Sequence, residues 1–367
     1  MEEYIEEIDK CIGCKTCNSK CPTFNISNNE LEAPDVRIQI ARKVFSGEEI
    51  SENEYNALFS CTKCEKCDLY CEAEIQISKI IGQARNQLFK SGHEMLSGHS
   101  NLRDGILKLK NSTKGDHEHL LDYLPENFEN DEDATTLYYA GCLPGYFLKN
   151  ISTTAVQILK KIGIKFKVIK DEICCGSPLL DVGDIENAKK FFNENLKIFE
   201  ENNVKNLIVS CTGCYRAFKE MYPELIGKTI PVKHIIEVIA EAVKDKKIKF
   251  KKSDKKVIYH DPCHYGREFK KYEEPRIVLQ EAFKTLVEFD NNRDDSDCCG
   301  ADSAARAGFK NLATKVALKR IDDAVNKADI LTTTCPFCTF NLSYARRKNE
   351  RPIDVQYITE IILDLIE

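Results

Sequence analysis

The sequence predicts an α+β fold of several domains, in which a small helical domain precedes two tandem α/β domains. Apolar residues recur at helical spacing in the first 90 residues, whereas strand-like and helical segments alternate from residue 136 onward. The region from residue 136 onward is an internal repeat of two copies, with an offset of 121 to 124 residues between them. We therefore expect a helical domain at 1–90, a connector at 91–135, and α/β domains at 136–248 and 249–367 that are related by pseudo-two-fold symmetry.

The amino-acid composition indicates a globular protein and argues against nucleic-acid binding and membrane spans. The chain has 367 residues, of which 42% are hydrophobic and 31% charged, as in a globular protein with sizeable cores. Its net charge of −6 argues against nucleic acid as a partner. The acidic start MEEYIEEIDK lacks the pattern of a signal peptide, and no apolar run is long enough for a membrane span. We expect a cytoplasmic protein, with docking onto a membrane partner left open.

Cysteines dominate the chemistry of the chain, which contains 18 of them. Without a secretion signal, such a number indicates metal or redox chemistry rather than disulfides. Eight fall in two N-terminal runs, and ten fall in two matched sets of five in the repeated region. None is left over, whereas scattered buried thiols would not sort in this way.

The two N-terminal runs share the spacing CxxCxxCxxxC. Three closely spaced thiolates can wrap one face of a [4Fe–4S] cubane, while the fourth reaches a neighbouring cluster. One predicted ligand group is therefore Cys11, Cys14, Cys17 and Cys71, and the other is Cys61, Cys64, Cys67 and Cys21. Zinc is the alternative, because CxxC pairs also build zinc sites, but the duplicated spacing favours iron and sulfur. Glu72 stands where a proline usually follows the last cysteine, which makes that turn less rigid.

Helical patterns surround both runs, one after Pro34 and Asp35 and one at 77–88. This arrangement resembles the α-helical ferredoxin domain of respiratory electron-transfer subunits, which implies a role in carrying electrons. The polar connector is expected to contain one short helix at 102–109. It also carries four histidines that we expect to be solvated loop residues, with a metal site as the alternative: His93, His99, His117 and His119.

Strand-like segments lead to the cysteines in both copies of the repeat. The first copy predicts strands at 137–140, 164–169 and 207–209, and helices at 151–162 and 188–199. The second copy predicts strands at 257–260, 286–289 and 330–331, and helices at 275–283 and 309–317. This alternation predicts a small, largely parallel sheet in each domain, with the cysteines at strand ends and the two sets facing one cleft.

Each copy contributes five cysteines, which are Cys142, Cys174, Cys175, Cys211 and Cys214 in the first copy and Cys263, Cys298, Cys299, Cys335 and Cys338 in the second. Four thiolates satisfy a cubane cluster or a zinc ion, so each set has one more than either needs. Adjacent cysteines reach one site only if the backbone turns sharply, which Gly176 and Gly300 permit. The alternative is four ligands and one spare thiol in each set.

The doubled Cys-Cys-Gly pattern behind two ferredoxin-type runs resembles the D subunit of heterodisulfide reductase from methanogenic archaea, or equally its C and B subunits joined. The resemblance covers everything except the connector. It implies that each five-cysteine set holds a noncubane [4Fe–4S] cluster, which makes four clusters together with the two ferredoxin-type cubanes. It also implies reductive cleavage of a small-molecule disulfide, that of coenzyme M and coenzyme B or a similar one. In that reaction each noncubane cluster would supply one electron and an open iron position for a thiolate sulfur.

A second function fits the same motifs. Related Cys-Cys-Gly proteins serve as electron-transfer iron–sulfur subunits of flavin-dependent dehydrogenases for glycolate, lactate or glycerol 3-phosphate. Both cysteine sets are intact here, which favours disulfide reduction. An anionic disulfide would be helped by cations, and four candidates stand near the cysteines, with surface charge as the alternative for each: Arg216, His264, Arg267 and Arg306. Tyr146 and Tyr265 are expected to serve packing.

The source of electrons is expected to be another protein, because the sequence contains no Gly-rich dinucleotide fingerprint. A flavoprotein subunit, a ferredoxin or a membrane cytochrome b would each serve as the donor. The sequence does not choose among these partners.

Overall fold

The N-terminal part of the computed structural model, which describes residues 1–367, is entirely helical. Its helices are α1 (Glu2–Asp9), α2 (Thr16–Lys20), α3 (Pro22–Ser27), α4 (Pro34–Phe45), α5 (Glu52–Phe59), α6 (Lys66–Leu69) and α7 (Ile77–Lys90). The two predicted amphipathic patterns form α4 and α7, which pack against each other and contribute Ile40, Ala41, Ile80 and Ile81 to one apolar core. Pro34 begins α4, where its missing N–H leaves no hydrogen bond unmade.

The connector contributes a longer helix than the sequence predicts. Helix α8 (Ser97–Leu109) begins five residues before the predicted 102, because His99 and Ile106 pack into the protein. His99 is fully buried, and its Nε2 lies 3.0 Å from the carbonyl oxygen of Ala304. The prediction of a solvated loop residue is therefore wrong for His99, whose pKa is lowered to about 4 by burial. His117 and His119 are exposed as expected.

The first α/β domain has a parallel sheet of β1 (Thr136–Tyr139), β2 (Asn206–Val209) and β3 (Val232–His234), in that order. Its helices are α9 (Lys149–Lys161), α10 (Ser177–Asp181), α11 (Ile185–Glu201), α12 (Thr212–Arg216), α13 (Tyr222–Ile226) and α14 (Ile235–Lys244). The predicted strand at 164–169 is reduced to one parallel bridge between Leu137 and Lys167. The neighbouring Phe166 N–H donates to the carboxylate of Asp131 in the connector, at 3.0 Å.

The second α/β domain has a parallel sheet of β4 (Ser253–His260), β5 (Phe283–Val287), β6 (Ile330–Thr333) and β7 (Asp354–Tyr357), in the order β5-β4-β6-β7. Its helices are α15 (Gly266–Phe269), α16 (Glu273–Ala282), α17 (Ser303–Gly308), α18 (Lys310–Asp322), α19 (Pro336–Lys348) and α20 (Ile358–Ile362). Strand β5 begins three residues before the predicted 286, because α16 runs directly into it. With Lys167 counted as the edge of the first sheet, both sheets have the same strand order.

The last helix of each α/β domain packs on the other α/β domain. Helix α14 of the first domain packs on α16 of the second, and α20 of the second packs on α9 of the first. The Tyr357 hydroxyl donates to the carbonyl of Ser210 at 2.7 Å, and both residues are fully buried. The largest apolar core runs through the first sheet and continues into the second domain. No helix combines the length and the apolar character needed to cross a membrane.

The helical domain docks closely on the first α/β domain at Gly183. This glycine has a φ of +91°, and a Cβ placed on it would lie 2.5 Å from the carbonyl oxygen of Arg85 in α7. Gly163 has a similar φ of +72°, but a Cβ there would meet nothing within 4 Å. A comparison of Gly183 with Gly163 therefore distinguishes the cost of a left-handed backbone, which both positions have, from the cost of a steric clash, which only Gly183 would have.

We expect Gly183→Ala to destabilise the protein by about 1–3 kcal/mol more than Gly163→Ala, because both carry left-handed strain but only Gly183 adds a clash. Urea unfolding of the two variants measures the difference. Equal losses would show that α7 does not pack against this turn in solution.

Candidate metal centre

Two groups of four cysteines form in the helical domain, and each contains a member from the other run. Burial raises the pKa of the Cys17 thiol to about 12, as do the negative charges of Asp35 and of three neighbouring thiolates. Those thiolates belong to Cys71, Cys14 and Cys11. This first group lies at the surface, where Cys14 is exposed.

The second group surrounds a small cavity lined by Cys21, Cys61, Cys64 and Cys67. Apolar side chains of α7 close it on one side. The fully buried Arg37 donates from Nη1 to the sulfur of Cys21 at 3.4 Å. A buried cation beside these thiols favours the negative charge that a thiolate-bound cluster carries.

All ten cysteines of the repeated sets line one cavity between the α/β domains. The structure therefore brings both complete sets to one place. The sulfurs of Cys299 and Cys338 are 3.1 Å apart, and the thiols of Cys211 and Cys335 join the two sets. Eight of the ten are buried, and Cys142 and Cys263 are half-buried.

The backbone around each set explains how five thiols reach one place. Strands β2 and β6 end two residues before Cys211 and Cys335, from which α12 and α19 begin. Gly176 has a φ of +85° and Gly300 one of +78°, so the chain turns sharply after each cysteine pair. A Cβ on Gly300 would lie 2.7 Å from the carbonyl of Ala313, so only glycine fits this turn.

The second cysteine group of the helical domain touches the second five-cysteine set. The Cys64 thiol contacts that of Cys298, and this contact and burial raise the pKa of Cys64 well above its usual value. Arg267 stabilises this contact, because its guanidinium donates to the carbonyl of Cys64 on one side and to the carbonyl of Ser296 on the other. It donates from Nε to the carbonyl of Asp294 as well, at 2.9 Å.

Four buried charges tie the helical domain to the wall of the shared cavity. Lys63 forms an ion pair with Asp181 at 2.5 Å, and Arg85 lies 3.7 Å from the carboxylate of Asp302. Asp181 and Asp302 line the cavity, whereas Lys63 and Arg85 do not. The cations lower the pKa of Asp181 against the opposing effect of burial.

The cations predicted to bind an anionic substrate are engaged elsewhere. Arg216 forms an ion pair with Glu268 at 2.7 Å, and Arg306 stacks on the rings of Phe340 and Tyr344. His264 lines the cavity, but its Nε2 donates to the carbonyl of Lys63 at 3.2 Å, and burial lowers its pKa to about 4.

The two tyrosines expected to serve packing differ in their surroundings. Tyr265 is fully buried among aromatic rings, as predicted. Tyr146 instead lies at hydrogen-bond distance from His117, with 3.1 Å between its hydroxyl and Nδ1.

Sequence reasoning missed Asp181, Asp302 and His260. The two carboxylates stand six and three residues beyond a cysteine pair, without a recognisable spacing. In the sequence, His260 is only the last residue of a predicted strand. Its one unusual feature is that the equivalent residue of the first copy is Tyr139.

Comparisons with known proteins agree with this architecture. The family model described as "4Fe-4S dicluster domain" matches residues 7–75, and the family model described as "Cysteine-rich domain" matches residues 136–219 and 257–343. The chain is 31% identical to the D subunit of dihydromethanophenazine:CoB–CoM heterodisulfide reductase from Methanosarcina barkeri, over 99% of this chain and 95% of that protein.

More distant relatives carry other activities. The B subunit of the fumarate reductase (CoM/CoB) from Methanothermobacter marburgensis is 26% identical, over 95% of this chain and 70% of that protein. The EtfAB:quinone oxidoreductase of Syntrophomonas wolfei is 27% identical, over 90% of this chain and 54% of that protein.

A dicluster domain in front of two cysteine-rich domains, together with the reductases and oxidoreductase among its relatives, identifies the chain as an iron–sulfur oxidoreductase. Since similarity extends over nearly its whole length, the chain belongs to the family of heterodisulfide reductase D subunits. This confirms the resemblance that the cysteine spacing indicated.

The ion pair between Lys63 and Asp181 offers a test of domain docking. We expect Lys63→Met to cost about 3–5 kcal/mol of unfolding free energy, because it leaves a buried carboxylate without a partner. Lys79→Met is the matched control, since the Lys79 side chain is 50% exposed and pairs with Glu224 only at the surface. Adding Asp181→Asn to Lys63→Met should recover much of the loss in urea unfolding. A cost no larger than that of Lys79→Met would contradict the buried pair.

Proposed function

We propose that this chain is the catalytic subunit of a disulfide reductase and cleaves the CoM-S-S-CoB heterodisulfide or a similar disulfide. The observation that carries the proposal is that two complete five-cysteine sets line one buried cavity. A disulfide has two sulfur atoms and needs two electrons and two protons to become two thiols. A cavity with a redox centre on each side suits that stoichiometry.

The donor set fits four iron–sulfur clusters. Thiolates are soft ligands that select iron–sulfur clusters, and 18 thiols meet in two groups of four and one double group of ten. Cys142, Cys174, Cys175, Cys211 and Cys214 would hold one noncubane cluster, and Cys263, Cys298, Cys299, Cys335 and Cys338 the other. Bound there, the clusters would supply one electron each and an iron position for a sulfur ligand.

The remaining residues set the surroundings of the reaction. The cavity is walled by apolar and hydroxyl side chains around the cysteines, with Asp181, Asp302 and His264 as its titratable residues outside the two sets. Burial and the nearby Asp181 raise the pKa of the Asp302 carboxyl. Asp302 is therefore the carboxyl that would donate a proton to a thiolate product.

Electrons would enter at the surface group and leave at the cavity. The exposed Cys14 and the 68% exposed Ile12 beside it mark where a donor protein would dock. The buried group of Cys21, Cys61, Cys64 and Cys67 would follow, and the contact between Cys64 and Cys298 would deliver the electron to the second set. A flavoprotein subunit, a ferredoxin or a cytochrome b remain the candidate donors.

A second function is that of an electron-transfer subunit of a flavin-dependent dehydrogenase complex. Two observations favour it: the matches to a fumarate reductase subunit and to an EtfAB:quinone oxidoreductase, and the lack of lysine or arginine among the residues that line the cavity. In that case the cavity would hold clusters but no disulfide.

The two functions are separated by adding a thiol to the oxidised protein. We expect anaerobically purified protein to contain about sixteen irons, four for each cluster, and to develop a new EPR signal with the thiol of coenzyme M. Full iron without that signal would favour the electron-transfer function, and zinc in place of iron at the cavity would contradict both.

Matched cysteine variants locate the signal. Cys263→Ser and Cys14→Ser each remove one predicted ligand, but only Cys263 lines the cavity. Cys263→Ser should abolish the thiol-dependent signal and lower disulfide reduction with a small-molecule electron donor at least about 100-fold. Cys14→Ser should keep the signal. The reverse result would contradict the assignment of the cavity as the substrate site.

A further inference from the structure

The two five-cysteine sets have equivalent cysteines but different neighbours. Tyr139 at the end of β1 pairs with Val209, and His260 at the end of β4 pairs with Thr333. Val209 and Thr333 each lie two residues before a CxxC motif. His260 therefore occupies, beside the second set, the place that Tyr139 occupies beside the first.

His260 lies beside two cysteine sulfurs of the second set. It is fully buried, and one of its ring nitrogens and the sulfurs of Cys299 and Cys338 all lie within 4.8 Å of one another. In the first set the Tyr139 hydroxyl points elsewhere and donates to the carbonyl of Ile173. Only the second set therefore has a nitrogen of this kind beside its cysteines.

A neighbouring arginine determines which nitrogen of His260 carries the proton. The Nε of Arg320 donates to Nδ1 of His260 at 3.2 Å. A guanidinium has no acceptor atom, so Nδ1 must accept and the proton of the neutral ring must be on Nε2. Arg320 is itself buried, stacks on the ring of Phe289 and donates to the carbonyl of Asn291.

The Nε2–H group of His260 has no hydrogen-bond partner in the protein, although the atom is fully buried. An N–H left without an acceptor in the interior costs free energy, so a nearby acceptor is expected. The sulfurs of the second set, and of a cluster bound to them, are the acceptors beside this ring.

We propose that His260 donates a hydrogen bond from Nε2 to a sulfur of the cluster held by the second set, and that this raises its reduction potential above that of the first set. Reduction adds negative charge to the cluster, and a donor aimed at sulfur stabilises that charge. In this scheme His260 acts on the cluster through a hydrogen bond and is not an iron ligand. The inference rests on the proposed function, because it requires clusters in both sets.

The second set would then have a defined role in electron transfer. This set contacts the helical domain through Cys64 and Cys298. With the higher potential it would accept each incoming electron first and hold it beside the cavity.

Redox titration followed by EPR tests the proposal with three variants. His260→Phe removes the donor, and we expect the reduced-to-oxidised ratio of one cavity cluster to fall about tenfold at a fixed potential, which corresponds to about 59 mV for one electron. His260→Gln places an amide N–H near the same point and should restore most of the ratio. Tyr139→Phe should leave the second-set cluster unchanged.

Iron content separates the possible failures. If wild-type protein lacks iron at the cavity, the proposed function itself is wrong. If His260→Phe retains full iron and both potentials are unchanged, only the hydrogen bond is wrong.

Wild-type protein gives an independent measurement that does not depend on a variant that folds. Pulsed EPR of the reduced protein with ¹⁵N-labelled histidine should show a weakly coupled nitrogen and one exchangeable deuteron after transfer to D₂O. A strongly coupled nitrogen would mean that His260 binds iron directly, and no coupling would mean that it does not face the cluster. Either result would overturn the proposal.

Discussion

The crowding of ten thiols around one buried cavity is the constraint on which the rest of the structure depends. The sulfurs perturb one another: contact with Cys142 and Cys175 raises the pKa of Cys174, and contact with Cys174 lowers the pKa of Cys142 and Cys175. Burying many thiolates without positive charge is costly, and iron would supply that charge to all of them at once. Strand ends, helix starts and two left-handed glycines all serve to bring the thiols together.

The sequence alone was sufficient for the parts of this arrangement that depend on local chain geometry. The alternation of strands and helices predicted two parallel sheets with cysteines at their ends. The CxxCxxCxxxC runs predicted that Cys21 and Cys71 exchange between the two ligand groups; the structure places Cys21 with Cys61, Cys64 and Cys67, and the ligand assignment stays a prediction. The family follows from the same spacing. The predicted alternation of strands and helices was wrong only at 164–169, where no strand forms. The Phe166 N–H of this segment donates to the side chain of Asp131 in the connector instead.

Contacts between distant segments could not be predicted, because they depend on how the domains dock. Nothing in the spacing relates Cys64 to Cys298, or Lys63 to Asp181, since more than 100 residues separate the members of each pair. His99 looked like a loop residue because its neighbours are polar, yet its ring lies under α17. The duplicated cysteines also concealed that the two sets have different surroundings, with Tyr139 at one and His260 at the other.

We propose that two iron–sulfur clusters share one cavity and that a third lies beside Cys64. Diffraction from anaerobically grown crystals at the iron absorption edge would locate the iron atoms. We expect four separate iron groups, of which two lie between the α/β domains and one lies among Cys21, Cys61, Cys64 and Cys67. Iron at only one of the five-cysteine sets, or zinc at either, would contradict it.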